Sequence, residues 1–269
     1  MKIIMSHDVD HLYPRDHFFK DLYFPKLFVR TVIDFFRGKC PFSMILNSVK
    51  LIFAKRMHNI FEVVSLDLMY NVQSTFFWGV ASGLGMSYSR NDVSPLIKYV
   101  KQNGLGIGVH GITFDDYDKM LDECLTFYHI TGEYPKGIRM HYVRYNEDTF
   151  LFENKIGYMY DSSRFCKKTM GSVEKPYKVG DMWEFPLAIM DVYLPENLEK
   201  AKLFTLSRIQ EYENNGIAYM TVLFHDNYFS AQSAFLKEWY MWFVEYVAES
   251  EKHTFVSFEQ AIGEMKGNE

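Results

Sequence analysis

The sequence predicts an α/β protein, a parallel sheet wrapped in helices and close to a (β/α) barrel of about seven strands. Three observations lead there. Short apolar runs alternate with longer stretches of helical periodicity along most of the 269 residues. Several of the runs end in a carboxylate or an imidazole, as strands do when their C-terminal ends build a site. A 48% hydrophobic composition supplies enough apolar material for one large core.

The first run, Lys2-Ile3-Ile4-Met5, leads directly into Ser6-His7-Asp8-Val9-Asp10-His11. Alternate residues of a strand share a face, so Asp8 and Asp10 project the same way, about 7 Å apart at Cα, while His7, Val9 and His11 point to the other side. Two carboxylates on one face suit a base and a metal ligand. Next comes an aromatic, basic helical insertion at about residues 18–60. Leu27, Phe28, Ile33 and Phe36, then Met44, Ile45, Val49 and Phe53, recur at helical spacing with a break near Gly38 and Pro41. Seven cations stand there against Asp34 alone over residues 22–58, a net +6, so the rest of a chain of net charge −5 carries −11. Such a patch suits a solvated helix face, an anionic membrane surface or a pyrophosphate-bearing substrate. Further strands are expected at 74–78, 105–110, 137–141, 158–161, 183–187 and 218–225, with helices at 93–102, 117–131, 147–155, 197–213 and 234–249. The polar strand ends are Asp8 and Asp10, His110, His141, Asp161 and His225.

Composition narrows the function. A net charge of −5 and a pI near 6.0 argue against nucleic-acid binding, which relies on clustered Lys and Arg. Cys40, Cys124 and Cys166 are too few and too far apart for a disulfide framework or a thiolate zinc cluster, and read as buried thiols in a reducing compartment. Asp8 and Asp10 interrupt the opening apolar run, so no secretory signal is expected, and no run reaches the roughly 18 apolar residues of a membrane span. The expected location is the cytoplasm, with peripheral contact to the inner face of the membrane through residues 18–60.

These residues carry a resemblance. Ser6-His7-Asp8-Val9-Asp10-His11, Ser74-Thr75-Phe76-Phe77, Gly108-Val109-His110, Arg139-Met140-His141-Tyr142, Tyr160-Asp161-Ser162-Ser163 and Leu223-Phe224-His225 resemble the ordered motifs of the polysaccharide deacetylase (NodB-like) family. The likeness is to the branch with an Asp-Val-Asp first motif, often associated with surface-polysaccharide biosynthesis, and it runs over nearly the whole chain. It implies a single domain over residues 1–269, a distorted barrel of fewer than eight strands, and metal-dependent hydrolysis of an N-acyl group on an amino sugar. Asp8 matches the catalytic base, Asp10 the metal-binding aspartate, His110 the first metal histidine and His225 the general acid. The family usually carries a second histidine four residues after the first, where this chain has Phe114. His141 is the candidate replacement; His7, His11, Asp115 and a site without metal are the alternatives.

One carboxylate and two imidazoles leave a divalent metal, zinc by default, with open positions for water and a carbonyl oxygen. Arg139 would pair with Asp8 and hold it aimed. Asp161 would orient His225, bind a substrate hydroxyl or cap its strand. Tyr142 and Trp183 offer flat faces to a sugar, although Trp183 also suits a core. A backbone N–H near Tyr142 or Val143 would meet the oxyanion. The resulting expectation is a cytoplasmic N-deacetylase acting on a nucleotide- or lipid-linked amino sugar of capsule or lipopolysaccharide O-antigen biosynthesis. The alternatives are another non-peptide C–N bond reaction on the same fold, and a degenerate barrel that binds glycan without turnover.

Overall fold

The first strand, β1 (Lys2–Val9), is apolar enough to be buried along almost its whole length, and it lies inside the sheet with a parallel partner on either side. The computed structural model describes residues 1–17, 23–38 and 41–267. The other strands are β2 (Thr75–Trp78), β3 (Gly106–Gly111), β4 (Gly137–Met140), β5 (Tyr160–Asp161), β6 (Tyr177–Val179), β7 (Met182–Glu184), β8 (Leu187–Met190), β9 (Tyr219–Leu223) and β10 (Thr254–Phe255). Their order is β6-β7-β5-β4-β3-β2-β1-β9-β8, with β10 added beside the start of β1. Among the described residues these strands all pair in parallel except in the β6–β7 hairpin.

The run expected as one strand at 183–187 is two. Pro186 has no N–H to give a ladder and splits it. The halves, β7 and β8, lie at opposite ends of the strand order although only Phe185 and Pro186 separate them. Three Cα steps reach at most about 11 Å, so the two edges must approach that closely. The sheet therefore curls into a half-barrel in which, among the described residues, eight consecutive strands run parallel, close to the about seven expected.

Helices pack outside, beginning with α1 (Tyr23–Phe36) and α2 (Phe42–Ile52), which break where expected; Phe18, Lys39 and Cys40 lie outside the described residues. A third helix, α3 (Ile60–Met69), follows and was not expected, because its apolar residues spread around the axis instead of forming a stripe. The remaining helices are α4 (Arg90–Gln102), α5 (Tyr117–Thr131), α6 (Glu147–Ile156), α7 (Leu198–Asn214), α8 (Ala234–Ala248) and α9 (Phe258–Gly267). Side-chain caps at Ser89, Asp116, Asn146 and Asn197 start four of them, and left-handed Gly132 and Gly157 end two. Cys124 is buried but Cys166 is only half-buried. Among the described residues no helix is long and apolar enough to cross a membrane.

Ile3, Met5 and Val9 of β1 join the core against the helices, whereas Ile4 belongs to a second core with Phe77, Tyr160, Trp183 and, from α9, Phe258. Because β10 pairs with the first residues of β1, α9 closes the barrel at the end opposite Asp8. Trp183 is thereby a core residue packed beneath the site, which corrects its expected role as a sugar platform.

Three buried acids, Glu153, Asp161 and Glu184, sit together behind β5 and β7, and neither carboxyl oxygen of Glu153 has a hydrogen-bond partner. Burial, with Asp161 adding to it, raises the Glu153 carboxyl well above its ordinary value of 4.5. The folded state then keeps a proton that the unfolded chain releases, so stability falls as pH climbs above that ordinary value, by up to about 1.4 kcal/mol per unit. Glu153→Gln, neutral at every pH, should flatten the decline of Tm between mildly acidic and mildly alkaline buffer. Parallel melting curves for the two proteins would contradict this.

Candidate metal centre and catalytic groups

The polar strand ends meet at one mouth. Asp8 is on β1 and Asp10 one residue past it; His110 is on β3; Arg139 is on β4, with His141 in the short turn that follows; His225 follows β9. Parallel strands deliver all of them to the same end of the barrel.

Asp10, His110 and His141 form the one cluster, among the described residues, of three potential metal donors whose atoms all lie within 4.8 Å of one another. His110 is oriented by the Arg139 carbonyl, 3.0 Å from its Nδ1, and His141 by the Leu84 carbonyl, 3.2 Å from its Nε2. A carbonyl only accepts, so these nitrogens carry the protons. The free nitrogens, His110 Nε2 and His141 Nδ1, then face each other at 3.0 Å, with Asp10 Oδ1 3.2 Å and 3.5 Å from them. Asp10 Oδ1 is buried and has no hydrogen-bond partner. Three acceptors converging on one point are a donor set suited to a cation. Tetrahedral donors about 2.0–2.2 Å from one ion lie about 3.3–3.6 Å apart, close to the 3.0–3.5 Å found, so the residues fit a divalent metal.

The charges agree. Burial works against an ionised Asp10, yet His110 and His141, with His225 nearby, hold its carboxyl well below the usual range. Burial also opposes a charged His110, and Asp8 and Asp10 outweigh it, raising the ring above its ordinary value. In a negative site of this kind a bound cation takes the place of such a proton.

Phe114 takes no part. Its half-buried ring packs on the core under the Arg144 guanidinium, 4.8 Å away, and the loop after β3 is pinned by Glu123, which accepts from the N–H groups of Ile112 and Thr113. His7 points outward as strand alternation requires and lies among Asp67, Tyr240 and the Phe224 carbonyl; His11 pairs with His17 at 3.1 Å. Neither these histidines nor Asp115 joins the metal cluster.

Arg139 is fully buried and spans the barrel interior. It donates to Asp8 Oδ1 at 2.9 Å, to Ser6 Oγ at 2.9 Å and to Ser162 through both Nε and Nη2, while its guanidinium lies 4.5 Å from the Phe77 ring centre. One carboxylate oxygen of Asp8 is thus anchored, and the other, Oδ2, faces the metal site 3.7 Å from His110 Nε2.

His225 has a partner the sequence did not disclose. Asp191, just beyond β8, accepts from the His225 backbone N–H at 2.6 Å and from Nδ1–H at 2.8 Å, leaving Nε2 to face Asp10 at 3.8 Å. Of the three readings of Asp161, the structure shows the strand-end cap, with Asp161 accepting from the N–H and hydroxyl of Ser163, and not the orientation of His225. Asp191 went unseen because β8 did: a single strand at 183–187 leaves no strand end before Asp191. Burial lowers the His225 pKa, and Asp191, then Asp10 and Asp8, outweigh it and lift the ring to about 10. Asp191→Asn should cost about 10- to 100-fold in kcat with the metal retained. It should also move the alkaline limb of the rate profile to lower pH, since a removed carboxylate releases the proton earlier. An unmoved limb would remove Asp191 from this role.

Tyr142 and Val143 have φ of +61° and +47°, and Leu84 has +53°. A β-branched residue in the left-handed region is strained by about 1–3 kcal/mol, and this strain sits immediately after His141. The Leu84 carbonyl accepts from both His141 Nε2 and the Tyr142 hydroxyl, at 3.2 Å and 3.1 Å, tying the two loops together. The Tyr142 ring lies 4.0 Å from that of His141 and is 60% exposed at the mouth.

No family model matches the sequence, and no curated protein matches it. Solved structures do. A protein assigned as a polysaccharide deacetylase from Mycobacterium smegmatis superposes with a TM-score of 0.66 at 16% identity, over 99% of this chain and 90% of its own. The chain has the polysaccharide deacetylase fold. A second protein so assigned, from Pseudomonas aeruginosa PAO1, matches with a TM-score of 0.55 at 18% identity, over 76% of this chain and 71% of its own. An allantoinase matches with 0.58 at 16% identity, over 76% and 70%. One deacetylase-type barrel thus accommodates differently named enzymes, and the reaction has to be argued from the site.

Proposed function

We propose that this chain is a metal-dependent hydrolase that removes an N-acetyl group from an amino sugar, a precursor of surface polysaccharide carried on a nucleotide or a lipid. The observation that carries this reading is the convergence of Asp10, His110 and His141 between an anchored carboxylate, Asp8, and an anchored imidazole, His225. A divalent cation held by the three donors, zinc by the donor set, would polarise the scissile carbonyl and acidify the attacking water.

The chain's own groups do the rest. Asp8 Oδ2, free of the Arg139 bond, takes the proton from water as the C–O bond forms. His225, its Nδ1–H fixed on Asp191, keeps the Nε2 proton for the amine nitrogen as the C–N bond breaks, so acetate and a free amino sugar leave. The strained turn at Tyr142 and Val143 lies beside the cluster and is the place for a backbone donor to the oxyanion. The exposed Tyr142 ring offers the sugar a flat face.

A second reading keeps the site and changes the bond. With no histidine at Phe114 and an allantoinase among the fold relatives, a cyclic amide could be opened by the same base and acid. A binding-only barrel has little use for the buried Asp8–Arg139 and His225–Asp191 pairs.

Incubation of metal-loaded protein with N-acetylated amino sugars, free and nucleotide-linked, should release acetate and shorten the sugar by the mass of an acetyl group. Addition of one water to an unbroken cyclic skeleton would support the second reading, and no product from either class would sink both.

A further inference from the structure

We infer that the α1–α2 hairpin is a docking surface for an anionic lipid bilayer. The two helices pack chiefly against each other, with the Phe35 ring 5.8 Å from that of Phe42, and only sparsely against the barrel. Large apolar side chains consequently face outward: Phe28, Ile33 and Phe36 on α1, and Phe42, Leu46 and, just past α2, Phe53. Phe36 and Phe53 are each 81% exposed. This density of outward aromatics on one 30-residue stretch exceeds what scattered surface residues produce.

Charge selects the occupant. Arg37, Lys50 and Lys55 have no carboxylate partner among the described residues, and Asp34, the one acid on the two helices, lies 3.8 Å from Arg30. Protein interfaces deplete charge at their apolar centre, whereas cations interleaved with Phe and Leu match headgroup phosphates above an acyl boundary. The rest of the chain carries −11 and would be repelled by the same bilayer, so binding would be oriented, hairpin inward. The hairpin follows the loop that leaves Asp10, and the His17 and Phe24 rings lie 6.5 Å apart, which places its root at the barrel mouth.

The test is sedimentation of the full chain with phosphatidylcholine vesicles that do or do not contain phosphatidylglycerol, in low and high salt. Binding should require phosphatidylglycerol and weaken at high salt. Arg37→Ala/Lys50→Ala/Lys55→Ala should weaken it roughly a hundredfold, at about fivefold per cation. Phe36→Ser/Phe53→Ser should weaken it at least about tenfold, with circular dichroism and Tm unchanged because both rings are exposed. Failure to sediment with phosphatidylglycerol vesicles, or undiminished binding by both variants, overturns the inference. So does a solution dimer that the Phe36→Ser/Phe53→Ser chain loses while neither protein binds vesicles, since the face would then join two copies.

Discussion

Alanine at Asp10, His110 or His141 is expected to leave purified protein nearly free of metal and to lower turnover by at least about a thousandfold, while Phe114→Ala keeps both. A divalent metal at such a site would supply several kcal/mol of charge stabilisation in the transition state, and three protein donors would leave no reserve when one is removed. His141→Ala is the decisive variant, since its Nδ1 faces His110 Nε2 at 3.0 Å within the cluster, to which Phe114 contributes no donor. Metal analysis on protein purified without chelator reads the first effect directly. Full metal content in His141→Ala would end the proposed ligand set, whatever its activity.

Asp8→Asn is expected to retain metal and fold yet lose about 10²- to 10⁴-fold in kcat, the range for removal of a general base. Asparagine keeps an oxygen for the Arg139 Nη1 bond, 2.9 Å long with Asp8, so the buried guanidinium stays partnered. Arg139→Ala would be a poor substitute, because leaving Asp8 buried and unpaired costs about 3–5 kcal/mol and confounds chemistry with folding. A Tm within a few degrees of the parent, with kcat depressed and metal bound, is the expected combination. Unchanged kcat would mean that another group takes the proton.

Much of this was legible in the chain itself. Alternation along β1 put Asp8 and Asp10 on one face and turned His7 away, and the structure places them so. Helical periodicity located α4 through α8 to within a few residues, because amphipathic stripes are local properties. Trp183 was ambiguous from the start: an aromatic in a strand reads the same whether its ring faces a sugar or a core. The buried trio of Glu153, Asp161 and Glu184 had no signal, since α6, β5 and β7 bring it together only on folding.

The sequence by itself determined the parallel α/β class, the strand ends that carry Asp8, Asp10, His110, His141 and His225, and the basic aromatic character of residues 18–60. Each depends on spacing along a few neighbouring residues. Tertiary structure alone decided that His141 and not Asp115 stands beside His110, that Asp191 and not Asp161 holds His225, and that Trp183 lies beneath the site. Those pairings cross 31, 34 and more residues of chain. They follow from one long-range event: at Pro186 the chain crosses from one edge of the sheet to the other, curling it and bringing β8, with Asp191, next to β9 and His225.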